Sequence, residues 1–337
     1  MRYIVIGAGA VGGSIGGRLF ESGHDVVLVA RGDHHTALRD GGLRFTTPEG
    51  TRSLPVPVAD GPEGVELRPD DVLILAVKTQ HTGAALDAWA DRPVADATTA
   101  GESLPLVCAQ NGVENERLAL RAFRQVYGMC VVLPAAFLRP GEVTAACGPY
   151  TGALVLGRYP SGDDTTARAI AAGLERSVFR APVVPDVMRW KYGKLLGNLT
   201  QTVEALCGAV RPGSRAAALA GLARAEGVAA LRAAGIGYAD ADELAALRTG
   251  AVEARPLPGE GTGEKALGST WQSLARGAGS IEAEYLNGEF VLLGRTHGVP
   301  TPVNEALLRL AKASARDRRA PGGVAAEDVL HLVGTLP

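Results

Sequence analysis

Two patterns of hydrophobic residues divide the chain. In the first half, short apolar runs such as RYIVI, DVVLVA and DDVLILAV are separated by helical segments. Strands of this kind, buried on both faces, are typical of a parallel sheet with helices on each side. From Met188 onward, the apolar positions repeat almost entirely at helical spacing. We therefore predict an α/β protein, with a doubly wound parallel sheet over residues 1–184 and an all-helical C-terminal domain over residues 185–337.

The segment RWKYGKLLGNLTQTVEAL, residues 189–206, predicts one helix with two stripes. Its apolar stripe is formed by residues three or four apart, namely Leu195, Leu199, Val203 and Leu206. Lys194, Asn198 and Thr202 follow one another a turn apart beside that stripe. A polar stripe of this kind fits either a flank in water or a lysine and its partners lining a cleft, and the helix alone does not decide between them.

A glycine-rich turn follows the first predicted strand and leads into a helix of small residues. It reads G-x-G-x-x-G and consists of Gly7, Ala8, Gly9, Ala10, Val11 and Gly12. In a strand–turn–helix–strand context this motif indicates a Rossmann dinucleotide-binding domain. The first glycine permits the tight turn, the second lets the backbone approach a pyrophosphate, and the third lets the helix pack closely on the strand. The helix N-terminus offers unpaired N–H groups to the phosphates.

The end of the second strand indicates which dinucleotide binds. Enzymes that use NAD place Asp or Glu there to bind the ribose 2′-hydroxyl, whereas this chain has Ala30 and Arg31. A guanidinium pairs with a 2′-phosphate that a carboxylate would repel. We therefore predict NADPH/NADP+ as the cofactor.

Polar residues also follow two later strands. Lys78 and His81 come after DDVLILAV, and Asn111 lies in a Gln-Asn-Gly turn after LPLVCA. In open α/β sheets, ligands bind at the carboxyl ends of the strands. These three residues are therefore candidates for contacts with the cofactor or the substrate, although a residue of this kind, taken alone, is more often an ordinary loop residue.

Composition narrows the classes of function. The chain has 337 residues, 21% of them charged, and a formal net charge of −2, which lacks the basic surplus that nucleic acid or an anionic membrane surface requires. No uninterrupted apolar run reaches the length of a membrane span, and the N-terminus reads as a strand rather than a signal peptide. The four cysteines fit neither a metal knuckle nor a disulfide pattern. We expect a cytoplasmic protein without a metal site.

Motifs across nearly the whole chain resemble the ketopantoate reductase (2-dehydropantoate 2-reductase) family. They occur in the family's order: GAGAVGG, VK at a strand end, QNG, the K-L-x-x-N helix, STWQ, and IEAEYLNGEF followed by HGVPTPVNEAL. The resemblance implies a Rossmann domain, a helical domain, and an interdomain cleft where NADPH reduces the 2-oxo acid ketopantoate to pantoate, a step of pantothenate biosynthesis.

The resemblance also implies roles for individual residues. Lys194 matches the catalytic lysine and Glu282 the glutamate that binds the substrate hydroxyl beside the cofactor. Asn198 and Ser269 match substrate-binding positions, and Asn111 matches an asparagine between substrate and cofactor. On the cofactor side, Arg31 matches the arginine that binds the 2′-phosphate, and Lys78 matches a lysine that lies beside the cofactor. General chemistry agrees, because charge that develops on a ketone oxygen needs a proton and electrostatic support, both of which a lysine in a partly desolvated site supplies.

Two positions depart from the family pattern. Thr202, which we include among the substrate-binding candidates, and Ala266 stand where relatives often carry asparagine, and one residue is inserted between Ser269 and Glu282. The alternatives are therefore a relative that reduces a different 2-oxo acid or ketone, and a non-catalytic NADPH-binding sensor. A glycerol-3-phosphate or opine dehydrogenase fits less well. We expect a small-molecule 2-oxo acid substrate, no nucleic-acid or membrane partner, and a helical domain whose apolar faces suit a homodimer interface.

Overall fold

The computed structural model describes residues 1–94, 98–258 and 268–334. The chain forms two compact units. The first comprises Met1–Lys191 and Asp240–Ala266, of which the last segment is described as far as Pro258. The second comprises Tyr192–Ala239 and Leu267–Pro337, of which the last segment is described from Gly268 to Gly334. Ala266 therefore lies outside the described residues.

Short strands make up much of the first unit. In chain order they are β1 (Arg2–Ile6), β2 (Val26–Val29), β3 (Leu43–Thr47), β4 (Gly50–Leu54), β5 (Val58–Ala59), β6 (Asp71–Leu75), β7 (Pro93–Val94), β8 (Thr98–Thr99), β9 (Pro105–Cys108), β10 (Gln125–Val132), β11 (Ala135–Ala136), β12 (Glu142–Ala145), β13 (Cys147–Pro149), β14 (Gly152–Arg158), β15 (Phe179–Arg180) and β16 (Val252–Ala254).

Helices connect these strands and form the second unit. They are α1 (Ala10–Glu21), α2 (Gly32–Gly41), α3 (Thr82–Trp89), α4 (Ala100–Ser103), α5 (Asn115–Ala119), α6 (Thr165–Arg176), α7 (Val187–Cys207), α8 (Arg215–Ala233), α9 (Ala241–Arg248), α10 (Ser269–Ala275), α11 (Asn287–His297), α12 (Pro302–Arg316) and α13 (Ala326–Leu332). Within the described ranges, 3₁₀ turns lie at Pro62–Gly64, Thr79–His81 and Glu282–Tyr285.

The main sheet of the first unit is parallel at its centre. Among the described residues its order is β15-β14-β10-β9-β6-β1-β2-β5. All neighbouring strands in it are parallel except β10 and β14, which run antiparallel. Helices from the connections cover both faces, so alternate residues of β1 belong to two different cores, Tyr3 and Val5 to one and Ile4 and Ile6 to the other. The predicted fold class is confirmed, with one antiparallel pair that the sequence analysis did not anticipate.

A second sheet, in the order β11-β12-β3-β4, packs beside α1. From the sequence VTAACGPYTGALVLG, residues 143–157, we predict two strands around a Gly-Pro turn. The structure instead divides this segment among three strands. β12 joins this sheet, β14 joins the main sheet, and β13 pairs with β16. Small residues of α1 allow the close approach, since a Cβ on Gly13 would lie 2.8 Å from Val143.

The described residues of the second unit form helices and connecting turns without a strand, and α7 contributes the predicted stripe to its core. Leu195, Leu199, Val203 and Leu206 are all buried. The first compact unit extends to Lys191 and also includes the segment that begins at Asp240. There Glu243 of α9 accepts two hydrogen bonds from the Arg189 guanidinium, at 2.8 and 2.6 Å. The first unit therefore consists of two separate segments of the chain, which one boundary in the sequence cannot describe.

Candidate functional site

Four strand ends of the first unit lie along one edge of the main sheet. Ile6, the last residue of β1, is in register with Val29 of β2 and with Leu75 of β6, and Leu75 is in register with Cys108 of β9. The segments that follow these strands carry the predicted cofactor-side residues: Gly7–Gly12, Arg31, Lys78 and His81, and Asn111. The fold therefore brings these segments to the carboxyl edge of the sheet, where ligands of open α/β folds bind.

The glycine-rich turn leaves its outer side open. Gly7 has φ +102°, and a Cβ there would lie 2.8 Å from Val77 N, so a side chain does not fit. A Cβ on Gly12 would lie 2.0 Å from Gly7 O. At Gly9, which caps α1 without a side-chain hydrogen bond, an added Cβ meets nothing within 4 Å. The turn therefore offers helix N-terminal amides on an open face, the arrangement that binds pyrophosphate.

The other cofactor-side residues differ in exposure. Arg31 is exposed and caps α2, and Lys78 is half-buried. His81 is exposed at the end of the Thr79–His81 turn. These positions leave the Arg31 guanidinium and the His81 ring accessible to a ligand.

The turn that carries Asn111 is fixed by a polar network. Gln110 donates from Nε2 to Val77 O and to Thr82 Oγ1, both at 2.8 Å. The Thr82 hydroxyl donates in turn to Asn115 Oδ1 at 2.7 Å, and Asn115 Nδ2 donates to Asn111 O at 3.0 Å. The segments after β6 and β9 are thus tied to each other.

A buried ion pair that the sequence analysis missed supports the same turn. Lys191 of α7 donates to the Glu116 carboxylate and, at 3.1 Å, to Gln110 O. The Lys191 side chain is 2% exposed and the Glu116 side chain 0%. Burial raises the pKa of Glu116, and the Lys191 charge opposes that rise. No local sequence signal separates Lys191 from the other charged residues of its helix.

The three candidate residues on the polar stripe of α7 become more buried along the helix. Lys194 is half-buried, Asn198 is 3% exposed and Thr202 is 0% exposed. Asn198 Oδ1 accepts from Gln201 Nε2 at 3.3 Å. A Cβ on Gly268 would lie 3.0 Å from the Gln201 side chain, so α7 lies against the start of α10 here.

Thr202 belongs to a chain of buried hydrogen bonds. Its hydroxyl donates to Asn287 Oδ1 at 2.6 Å, and Asn287 Nδ2 donates to Asn304 Oδ1 at 3.0 Å. Asn304 Nδ2 donates to Glu226 Oε2 at 2.8 Å. Glu226 also accepts from the backbone N–H groups of Val303 and Asn304, so it caps α12. The Thr202 hydrogen is therefore directed into the helix packing, which gives this candidate a structural partner.

The start of α10 carries two adjacent hydroxyls without partners in the described part of the chain. They belong to Ser269, the first residue of the helix, and to Thr270, which is 2% exposed. Ser269 is a candidate predicted from the sequence, whereas Thr270 is not. Glu282 is buried in the first turn of Glu282–Tyr285. From the sequence alone, Ser280 is a plausible N-cap for the helical segment that contains Glu282. The residue that caps this turn is Ile281, so that prediction is wrong.

The fold and these residues define a class: a Rossmann domain followed by a helical domain that carries a half-buried lysine. Two family models narrow it further. "Ketopantoate reductase PanE/ApbA" matches residues 3–161, and "Ketopantoate reductase PanE/ApbA C terminal" matches residues 186–315. The chain belongs to the ketopantoate reductase PanE/ApbA family, and it is an oxidoreductase as predicted from its sequence.

Individual relatives agree with this assignment. The 2-dehydropantoate 2-reductase of Halobacterium salinarum is 29% identical over 94% of this chain and 100% of its own length. The match to the Pyrococcus horikoshii enzyme of that name is 27% identical and spans 59% of this chain and 61% of that protein. The crystal structure of a PanE/ApbA family ketopantoate reductase from Ralstonia eutropha JMP134 has a TM-score of 0.75 at 27% identity, covering 94% of this chain and 99% of that one.

A further structural neighbour shows the fold alone. D-mandelate dehydrogenase, solved with NADH and anilino(oxo)acetate, has a TM-score of 0.77 at 20% identity, covering 94% of this chain and 99% of that one. Separately, no helix in the described ranges combines the length and apolar character needed to cross a bilayer.

Proposed function

We propose that the protein reduces a 2-oxo acid to the 2-hydroxy acid with NADPH, and that its substrate is ketopantoate. The observation that carries this proposal is the combination of an open glycine-rich turn on the first unit with a half-buried lysine, Lys194, one helical turn before the buried Asn198. The names of the full-length relatives supply the substrate.

The residues at the sheet edge fit a nicotinamide dinucleotide. Gly9 leaves room for a pyrophosphate, and the amides at the start of α1 would donate hydrogen bonds to it. Arg31 follows β2 at the position where a carboxylate would select NADH, and its exposed guanidinium suits a 2′-phosphate. When bound, the cofactor supplies the hydride. Lys78, His81 and Asn111 lie on the same edge and are its proposed neighbours.

Lys194 is the proposed proton donor. Addition of hydride to the keto carbon moves the π electrons onto oxygen, and the Lys194 ammonium gives its proton to that oxygen. Its partial burial strengthens the field that stabilises the developing charge. Glu282 would accept a hydrogen bond from the new hydroxyl, and Asn198 and Ser269 would bind the carboxylate. The Ser269 hydroxyl, which lacks a partner among the described residues, is available to donate.

The test is steady-state NADPH oxidation with ketopantoate. Lys194→Met should lower kcat by about 10²–10⁴-fold, the usual contribution of a general acid, while Lys312→Met, an exposed lysine of the same unit, should leave kcat unchanged. Arg31→Leu should raise the KM for NADPH about tenfold without changing that for NADH. Wild-type turnover that survives Lys194→Met would contradict the mechanism.

A second candidate is reduction of a different 2-oxo acid. The observation that favours it is the hydrogen bond of Thr202 to Asn287, which commits the Thr202 hydrogen to the protein interior. A site with an exchanged donor discriminates strongly against ligands that require the original one. A panel of 2-oxo acids in the same assay distinguishes the two candidates. Binding of NADPH without turnover on any panel member would instead support the sensor.

We further propose a homodimer, for which the helical domain supplies the surface. Sedimentation equilibrium of the purified chain tests this point. A mass equal to the 34.8 kDa of one chain at all loading concentrations would contradict it.

A further inference from the structure

The His34 ring bridges two backbone groups of the first unit. Its Nε2 lies 2.8 Å from Ala8 O in the glycine-rich turn, and Gly141 N donates to its Nδ1 at 2.9 Å. The Phe137 ring packs against it, with the ring centroids 4.5 Å apart. His34 lies on α2 and was not among the residues that the sequence analysis selected.

These two contacts define the tautomer of the ring. A backbone N–H can only donate, so Nδ1 must carry a lone pair toward Gly141. In the neutral imidazole the hydrogen then resides on Nε2, which donates it to Ala8 O. Burial lowers the pKa of His34, which favours this neutral form near pH 7.

The Ala8 carbonyl belongs to the same peptide unit as the Gly9 N–H. In a trans peptide the C=O and N–H bonds point in opposite directions. A donor that holds Ala8 O against α2 therefore directs the Gly9 N–H away from α2. Gly9 is the residue of the turn with open space around its Cβ position. The turn's other side is held by β2, since Gly7 N and Ala8 N both donate to Val29 O, at 3.0 and 3.2 Å.

We propose that His34 is a positioning residue for the cofactor: its Nε2–H fixes the Ala8–Gly9 peptide so that the Gly9 N–H faces the pyrophosphate. The proposal rests on the proposed dinucleotide binding. The proposal assigns the positioning of the turn to Nε2 alone, so an experiment can distinguish this role from a general packing role of the whole ring. The Gly141 contact at Nδ1 holds the ring in place but does not touch the turn.

Two amide substitutions separate the ring nitrogens. His34→Gln places an amide N–H near the Nε2 position and keeps the bond to Ala8 O. His34→Asn places an amide oxygen near the Nδ1 position, keeps the bond from Gly141, and loses the bond to Ala8. His34→Leu loses both. His35→Leu, the adjacent half-buried histidine of α2, is the matched control.

The readout is the Kd for NADPH, from quenching of protein fluorescence, together with the thermal midpoint of each variant without cofactor. We expect His34→Asn and His34→Leu to weaken NADPH binding about tenfold, the effect of losing about one hydrogen bond. His34→Gln should stay within about threefold of wild type, and His35→Leu should match wild type. If His34→Leu does not fold, the Gln and Asn variants carry the comparison.

Equal weakening by Gln and Asn, or lower thermal midpoints in all three variants with unchanged Kd, would overturn the proposal and leave His34 a packing residue. If wild type binds NADH but not NADPH, the proposed cofactor preference fails, and the same comparison made with NADH decides the role of His34. If wild type binds neither dinucleotide, both proposals are wrong.

Discussion

The buried pair of Lys191 and Glu116 allows a quantitative test of what holds the Asn111 turn. The perturbation is Lys191→Met, which fills similar volume but removes the cation. Because Glu116 is fully buried, its carboxylate would lose its only charged hydrogen-bond donor within the described part of the chain, and Gln110 O would lose a donor as well. Breaking a buried pair in this way costs about 3–5 kcal/mol, a large share of the roughly 5–15 kcal/mol by which domains are stable.

The double variant Lys191→Met/Glu116→Gln removes both charges. Replacing a whole buried pair by neutral groups is often close to neutral, so it should recover most of the loss. The control is Arg124→Met, which breaks an exposed pair of the same unit with Glu102 and should have little effect. The free energy of unfolding of each variant comes from urea denaturation followed by circular dichroism and tryptophan fluorescence.

The pH dependence adds a second check. Without Lys191, the pKa of the Glu116 carboxyl should rise further, because the charge that opposes the effect of burial is gone. The folded state then binds a proton more tightly than the unfolded state, so the loss of stability should grow as pH rises above about 4.3. Lys191→Met should therefore be less destabilising at about pH 5 than at about pH 8. A loss below about 1 kcal/mol at both values, or a double variant no more stable than Lys191→Met alone, would refute this reasoning.

Three further predictions concern single contacts, each measured as the urea-dependent free energy of unfolding. Thr202→Val should cost about 1–3 kcal/mol, because Asn287 Oδ1 loses a buried donor, and Thr202→Ser should cost much less; equal losses would contradict this. Glu226→Ala should cost about 2 kcal/mol by uncapping α12, and an unchanged value would show that the cap contributes nothing. Gly12→Ala should cost about 1–3 kcal/mol, since its Cβ would collide with Gly7 O; full stability and wild-type NADPH binding would be inconsistent with this geometry.

The features predictable from sequence were those with short-range signals. Three features depend on residues close together in the chain, and each forms as expected. They are the glycine-rich turn, the apolar runs that form the buried strands, and the apolar stripe of α7. The end of α11 at Gly298 follows the same rule: φ there is +70°, a conformation that glycine readily adopts, so a glycine after a helical pattern is a local stop signal.

Features that depend on distant partners were not predictable. β12 pairs in parallel with β3, and β13 pairs with β16 from beyond α9. Neither pairing leaves a local pattern, because a short strand carries no information about its neighbour. The same holds for Lys191 and His34, since their importance comes from Glu116 and Ala8, which lie far from them in the chain.

At the candidate site, the identity of the candidate residues could be predicted from the sequence, but their burial and hydrogen-bond partners could not. Lys194, Asn198 and Thr202 lie on one helix as expected, but their burial increases along it, and Thr202 has Asn287 as a partner inside the second unit. At α10 the sequence suggested one hydroxyl where the structure has two adjacent ones without partners among the described residues. Their roles in catalysis stay predictions until the kinetic tests are made.

The segment that begins at Asp240 belongs to the first unit, and this arrangement has a consequence for the order in which the protein folds during its synthesis. β13 leaves the ribosome long before β16, its partner, and the whole of α8 must be translated between them. The N-terminal portion can assemble its central sheet early, but it cannot form the β13–β16 pair or the contact between Arg189 and Glu243 until α9 and β16 have emerged. A nascent chain halted after Cys207, before α9 and β16 are synthesised, should therefore be more sensitive to protease near β13 than one halted after Gly334, from which both elements have emerged.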